Sequence, residues 1–314
     1  MIERLALRAR ALRQVRAFFD ERGVLEVQTA ALGCHAVTDP NIESLAVDAG
    51  AAGIRYLQTS PEYAMKRLLA EGSGDIYQLA AVYRAGERSP RHSPEFTLVE
   101  WYRLGLSFEA LMREAADLVR LLVAPRLALP ADPEFLSYAQ AFERALGIDV
   151  FDAPAERLRE AAASAGLAAS SITGATRDDL LDFLISGVVG PTLGRGRACC
   201  LHHYPASQAS LAQIDRDDPR TALRFELYVD GLELANGFVE LADADEQARR
   251  FDSDKALRAA RGQARVAPDT RLLDALRAGL PACAGVAVGF DRVLMLASGA
   301  ARIDEVQALP FEEA

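Results

Sequence analysis

The N-terminal hydrophobic pattern is helical: within residues 3–22, Leu5, Leu12, Val15 and Phe19 recur at helical spacing, and Gly23 follows as a stop. Val24-Leu25-Glu26-Val27 then reads as a short strand, and 33–53 as a loop with one extended stretch near Leu45 to Val47. At Thr59-Ser60-Pro61-Glu62, a serine before a proline announces a helix running to about Ala70. Ile76 to Tyr83 and Phe96 to Leu106 are apolar, aromatic-rich stretches on either side of the polar segment Arg84 to Glu95. This pattern predicts two antiparallel strands joined by a long loop.

From about 107 to 190 the pattern predicts helices at 108–122, 138–146, 154–165 and 177–189, punctuated by Pro125, Pro130, Pro133 and Gly190. Strand character returns at Ala198 to Tyr204, Leu223 to Val229 and Leu232 to Leu241, the last two linked by an Asp230-Gly231 hairpin turn. A charged helix over Asp243 to Arg261 precedes a strand-turn-helix unit at Ala284 to Ala297, in which Gly285 and Gly289 bracket small apolar residues. Strands clustered around a helical insertion predict an α+β fold with a mainly antiparallel sheet flanked by helices.

Composition narrows the class. A chain of 314 residues, 50% hydrophobic and 25% charged, is long enough for one large core, and one domain is the expectation. No run of eighteen apolar residues occurs, and Met1 to Arg10 lacks the long apolar stretch of a leader, so a soluble cytoplasmic protein is expected with no membrane contact. Cys34, Cys199, Cys200 and Cys283 form no C-x-x-C pair and read as reduced thiols. A formal charge of −10 argues against a broad phosphate-gripping surface but leaves room for a small basic cleft.

Three constellations carry candidate chemistry. In the first, Arg84, Arg91 and His92 lie beside the aromatic Phe96, and guanidinium forks with a stacking ring suit a nucleotide; an ordinary solvated hairpin loop is the competing reading. In the second, Glu226 and Glu233 flank the Asp230-Gly231 turn, which could bring both carboxylates together as Mg²⁺ prefers, or leave them as solvent-facing strand residues. In the third, Gly285 to Arg292 joins a strand to a helix through small residues, which would let backbone approach a ligand or pack a helix tightly on a sheet.

In order, Val24 to Val27, Tyr83-Arg84 through Glu100, and Gly285 through Arg292 resemble the three motifs of class II aminoacyl-tRNA synthetases. Thr59 to Tyr63, His92 to Thr97, Glu233 to Phe238 and Gly279-Leu280-Pro281 are similar to the lysyl branch, and the likeness runs from about residue 4 to 310. Pro205 to Gln213, Glu100-Trp101-Tyr102 and Ala287 resemble the lysyl paralogues that modify elongation factor P. The resemblance implies a ligase that uses ATP and Mg²⁺ to activate (R)-β-lysine or lysine as an adenylate. The acceptor would be a lysine ε-amine of elongation factor P, with tRNA not expected as a partner. It also implies a homodimer.

For the residues, the resemblance implies that Arg84 holds the α-phosphate, Phe96 stacks on adenine, His92 and Arg292 contact outer phosphates, and Glu226 and Glu233 hold Mg²⁺. Ser93, Glu87, Leu234 and Gly289 complete the ATP site. Ser60, Glu62, Tyr102, Asn236, Glu240 and Ala287 line the amino-acid pocket, with Arg84, Glu233 and Arg292 central to catalysis. The sequence departs from the family at Gln28-Thr29-Ala30, where a Glu and a proline are usual and the dimer-forming turn lies. It departs again at Gly86, where a glutamate is expected, and at Ser93, where asparagine is common; Glu87 is the candidate to take over adenine recognition.

Because the first helix starts at once, no small β-barrel for an anticodon is expected, and 1–314 reads as a single catalytic domain. Two other readings compete: a truncated lysyl-tRNA synthetase that charges tRNA, and a catalytically dead amino-acid-binding regulator. The presence of Arg84, Glu226, Glu233 and Arg292 counts against the regulator. Ala287, where the lysyl family has glycine, adds a methyl to the pocket and predicts preference for the β-amino isomer.

Overall fold

The computed structural model describes residues 2–124 and 126–314; Pro125, one of the predicted helix breaks, and Met1 lie outside the described residues. Along the chain come α1 (Ile2–Asp20), the short strands β1 (Leu25–Glu26), β2 (Leu32–Gly33), β3 (Ala46–Asp48) and β4 (Ile54–Leu57), then α2 (Glu62–Ala70), β5 (Ile76–Tyr83) and β6 (Glu95–Leu104). The middle holds α3 (Phe108–Val123), β7 (Glu134–Ser137), α4 (Tyr138–Leu146), α5 (Ala155–Ser164), α6 (Ala169–Thr173) and α7 (Arg177–Leu184). β8 (Cys199–Pro205), β9 (Thr221–Val229) and β10 (Leu232–Val239) follow. The chain closes with α8 (Ala244–Ala260), α9 (Thr270–Gly279), β11 (Cys283–Gly289) and α10 (Phe290–Ser298). The α+β class expected from the pattern is observed.

Contacts divide the chain into two compact units, Met1–Ser107 with Leu118–Ala128 and Glu240–Ala314, and Phe108–Asp117 with Leu129–Val239. In the first unit β6 pairs antiparallel with both β5 and β11, and β1 adds parallel to β5. Pleat alternation sorts β6 into two faces. Trp101 goes to one, where Phe19 of α1 meets it at 5.1 Å and stacks on Tyr77 at 4.3 Å. Phe96, Leu98, Glu100 and Tyr102 go to the other, across from Gly289, Ala287 and Gly285 of β11. The helix turns Ala11, Val15, Phe18 and Phe19 inward, whereas Leu5, expected on the buried face, is exposed.

In the second unit β9 pairs antiparallel with β8 and β10, while β7 runs parallel to β8. Helices α4, α5 and α7 cover this sheet through Phe142, Leu158, Leu180 and Leu184. Asp230 and Gly231 both adopt positive φ, 49° and 75°, as a two-residue hairpin turn requires. The helix expected over 177–189 ends at Leu184 and widens into a π-turn over Ile185–Val189. Gly187 and Gly190-Pro191 weaken it there, and a Cβ on Gly190 would lie 2.7 Å from the Ile185 carbonyl oxygen. The sequence reading passed over β2, β4, β7, α6 and α9. Except for α9, which Asp269 caps, these are five residues or shorter.

Candidate active site

An acidic pocket is built on the glycine-bearing face of the first unit's sheet. Gly285 sits opposite Tyr102 and Ala287 opposite Glu100, so small residues on β11 leave space beside larger ones on β6. The space is already tight: a Cβ on Gly285 would lie 2.3 Å from Tyr102 Cε1 and 2.6 Å from Glu240 Oε1. Ala287 and Phe96 both pack against the cluster of Ala80, Val82 and Leu98.

Three carboxylates meet there. Glu100 accepts from the Tyr102 hydroxyl at 2.7 Å and from Ser60 Oγ at 2.8 Å, and Ser60 Oγ in turn accepts from the Glu62 backbone N–H at the start of α2. Four residues into that helix, Lys66 donates to Glu62 at 2.7 Å and pairs with Glu240 at 2.5 Å. Lys66, Glu100 and Glu240 are all buried, at 1%, 2% and 2% exposure.

Burial sets the electrostatics. It disfavours the Glu100 carboxylate, and Glu62 repels it further, so its pKa is pushed up to about 7 despite hydrogen bonds from Tyr102 and Ser60. For Glu240, burial with repulsion from Glu62 and Glu100 outweighs the attraction of Lys66, and its pKa is raised. Burial alone would push the Lys66 ammonium down, but Glu240 and Glu62 together outweigh it, so Lys66 stays protonated. Burial therefore disfavours the full negative charge of the free pocket, and an incoming cation would favour the ionised carboxylates.

The same sheet face continues into a cationic end. Arg84, at the end of β5, has its Cζ 5.0 Å from the Phe96 ring centroid, donates to the Thr59 carbonyl at 3.3 Å and reaches Glu87 at 3.5 Å. His92 lies within 2.6 Å of Arg292 Nη2 and 2.7 Å of Ser89 Oγ. Burial first, and then Arg292, lower its pKa, so the neutral ring accepts at Nε2 from Arg292 and donates from Nδ1 to Ser89. The Ser93 hydroxyl is buried without a hydrogen-bond partner. The first turn of α10 is locked to the sheet: Asp291 accepts from the Thr97 N–H and from Arg8, each at 2.6 Å.

The second unit carries the other two carboxylates. Register sets Glu233 across from Tyr228, and Asn236 across from Glu226, because Leu234 is an extra residue in a bulge between Glu233 and Ala235. The hairpin thus puts Glu226, Glu233 and Asn236 on one face, with the two carboxylates offset rather than directly opposed. Glu226 is already engaged: it accepts from Arg224 and from the Tyr228 hydroxyl, both at 2.7 Å, and Arg224 also reaches Asn236 at 3.2 Å. Each carboxylate oxygen has two lone pairs, so these bonds leave Glu226 able to coordinate a cation. Among the described residues no group of three or more His, Cys, Asp or Glu is placed to hold a metal.

The structure brings Ser60, Glu62, Tyr102, Glu240 and Ala287 together in one pocket, and Arg84, Glu87, His92, Phe96 and Arg292 at the cationic end. Sequence reasoning missed Lys66 and Arg224 and gave Glu100 no role. Their signals were spacing alone: Lys66 four after Glu62 on a helix, Glu100 two before Tyr102 and Arg224 two before Glu226 on strands. All four cysteines are free, and burial pushes Cys199 up to about 12, away from thiolate chemistry.

The family model for tRNA synthetases class II (D, K and N) matches residues 1–313. The chain is 46% identical over 318 residues to proteins named elongation factor P–(R)-beta-lysine ligase from Salmonella typhimurium and an Enterobacter species. A protein of the same name from Yersinia enterocolitica is 46% identical over 319 residues. Each of these alignments spans 100% of this chain and 96% of the relative.

Proposed function

The chain belongs to the class II tRNA synthetases of the D, K and N group, and on that premise we propose that it is an ATP-dependent ligase. It activates (R)-β-lysine or lysine as an adenylate and transfers the acyl group to a lysine ε-amine of elongation factor P. The observation that carries this reading is the buried pocket in which Glu62, Glu100 and Glu240 surround Lys66. Ammonium groups cannot be buried cheaply without carboxylate partners, and this pocket holds more carboxylates than its own ammonium uses.

In the proposed reaction the substrate carboxylate attacks the α-phosphorus in line, a new P–O bond forms, and the bond to the β-phosphate oxygen breaks to release pyrophosphate. Arg84 holds the α-phosphate and Arg292, with His92, the outer phosphates, where their donors stabilise the developing charge. Phe96 stacks on adenine beneath Arg84, Glu87 substitutes for the usual adenine reader, and Ser93, Leu234 and Gly289 complete the nucleotide site. Ser60, Glu62, Tyr102, Asn236, Glu240 and Ala287 hold the amino acid. Glu226 and Glu233 would hold Mg²⁺, whose charge offsets that of the phosphates, and two carboxylates suit an ion that takes its other ligands from water and phosphate. The acceptor amine then attacks the adenylate carbonyl, loses a proton and expels AMP.

Residues 1–314 act in this reading as a single catalytic domain, in the cytoplasm. Among the described residues no helix is long and apolar enough to cross a membrane. The exposed apolar side chains Ile2, Leu5, Leu25, Leu32 and Ile54 of the first unit support a homodimer. Mass spectrometry of purified elongation factor P after incubation with ATP and each lysine isomer tests the proposal, with tRNA charging run beside it. A lysyl mass increment on the protein is expected; charged tRNA with unmodified elongation factor P would overturn the reading.

A further inference from the structure

The buried face of α2 consists of Met65, Lys66 and Leu69, and a lysine there has no packing rationale. Well-packed apolar side chains commonly replace buried ion pairs without loss of stability, so the charge calls for another reason. The reason lies in the count around it. Glu62, Glu100 and Glu240 bring three carboxylates to the pocket and Lys66 brings one ammonium, with contacts of 2.7 Å to Glu62 and 2.5 Å to Glu240. A deficit of two remains. An adenylate of lysine or β-lysine presents two ammonium groups, and its carboxylate, consumed in the acyl phosphate, no longer offsets either.

Resting on the ligase reading above, we propose that Lys66 is a positioning residue for the amino-acid site: its ammonium cancels one of three pocket carboxylates, aims Glu62 and Glu240, and leaves the negative charge that a diammonium substrate neutralises. The groups facing it are Glu62 of α2, Glu100 and Tyr102 of β6, Glu240 after β10, and Cys283 of β11, beyond which Asp75 adds a more distant charge. Helix α9, packed on α2, carries Arg271, Asp274 and Arg277 at exposed positions. Without Lys66 the carboxylates lose the cation that favours their ionised form, and their titration must move upward.

The test is the pH profile of lysine-dependent pyrophosphate exchange in the full-length protein. Lys66→Met should move the acid limb of kcat/KM for the amino acid upward by about one pH unit or more, and raise the amino-acid KM at pH 7 about tenfold. KM for ATP should hold, kcat at saturating amino acid should stay within about threefold, and Lys66→Arg should restore the limb. An unmoved limb with only a lower Tm would show a structural prop and overturn the proposal. If the unmodified protein exchanges with no lysine isomer, the ligase reading fails by itself. The Lys66 inference is then decided by ¹³C NMR of glutamate carboxyls in ligand-free protein, where Lys66→Met must raise a buried glutamate's titration and an unshifted set overturns it. Should Lys66→Met not fold, Lys66→Gln carries the same expectations.

Discussion

Replacing Gly285 by alanine adds one methyl group at the tightest point of the pocket. Its Cβ would lie 2.3 Å from Tyr102 Cε1, 2.4 Å from Tyr102 Cδ1 and 2.6 Å from Glu240 Oε1, each far inside van der Waals contact. Neither neighbour can swing away freely, since Tyr102 and Glu240 are both 2% exposed. Overpacking of this kind costs about 1–3 kcal/mol. Displacing the ring also breaks the hydrogen bond from Tyr102 to Glu100, worth about 1.5–3 kcal/mol because the acceptor is charged when ionised. A total of about 2.5–6 kcal/mol is a large share of a typical domain's stability of about 5–15 kcal/mol. Urea titration should show that loss. Where the variant folds, pyrophosphate exchange should show the amino-acid KM raised about a hundredfold, the equivalent of about 3 kcal/mol, with the ATP KM nearly unchanged. Wild-type stability together with a wild-type amino-acid KM would refute a close-packed pocket floor at Gly285.

Ala287→Gly removes the methyl that faces Glu100 across the strands, so the preference for (R)-β-lysine over α-lysine should fall about tenfold in competing exchange assays; an unaltered ratio would separate Ala287 from isomer choice. Arg84→Ala should lower adenylate formation about 10²–10³-fold while the protein still folds, since it removes a positioned donor from developing phosphate charge; unimpaired exchange would exclude the α-phosphate role. Glu100 titrates at about 7 in the fold, above an ordinary carboxyl, because burial and Glu62 disfavour its charge. The folded state therefore binds that proton more tightly than the unfolded chain, and the free protein should lose up to about 3 kcal/mol as pH rises from 5 to 8. Denaturation midpoints that stay flat or rise over that range would contradict this.

The sequence alone marked the elements that surround the site and the residue types at it. The apolar, aromatic-rich stretches at Ile76 to Tyr83 and Phe96 to Leu106, the glycine and alanine at 285 and 287, and the Asp230-Gly231 turn are local signals, each written within a few residues. Such signals survive without tertiary context because backbone geometry repeats every two or 3.6 residues. What the structure decided is non-local. Lys66 becomes a pocket residue only because Glu240, 174 positions away, folds against it. Asn236 joins Glu226 and Glu233 on one face only because a bulge at Leu234 resets the alternation, which no period-two pattern announces. The raised pKa values of Glu100 and Glu240 exist only once burial removes water from them. Desolvation and long-range pairing depend on which surfaces meet, so they are properties of the folded chain, and the charge balance of the pocket is decided there.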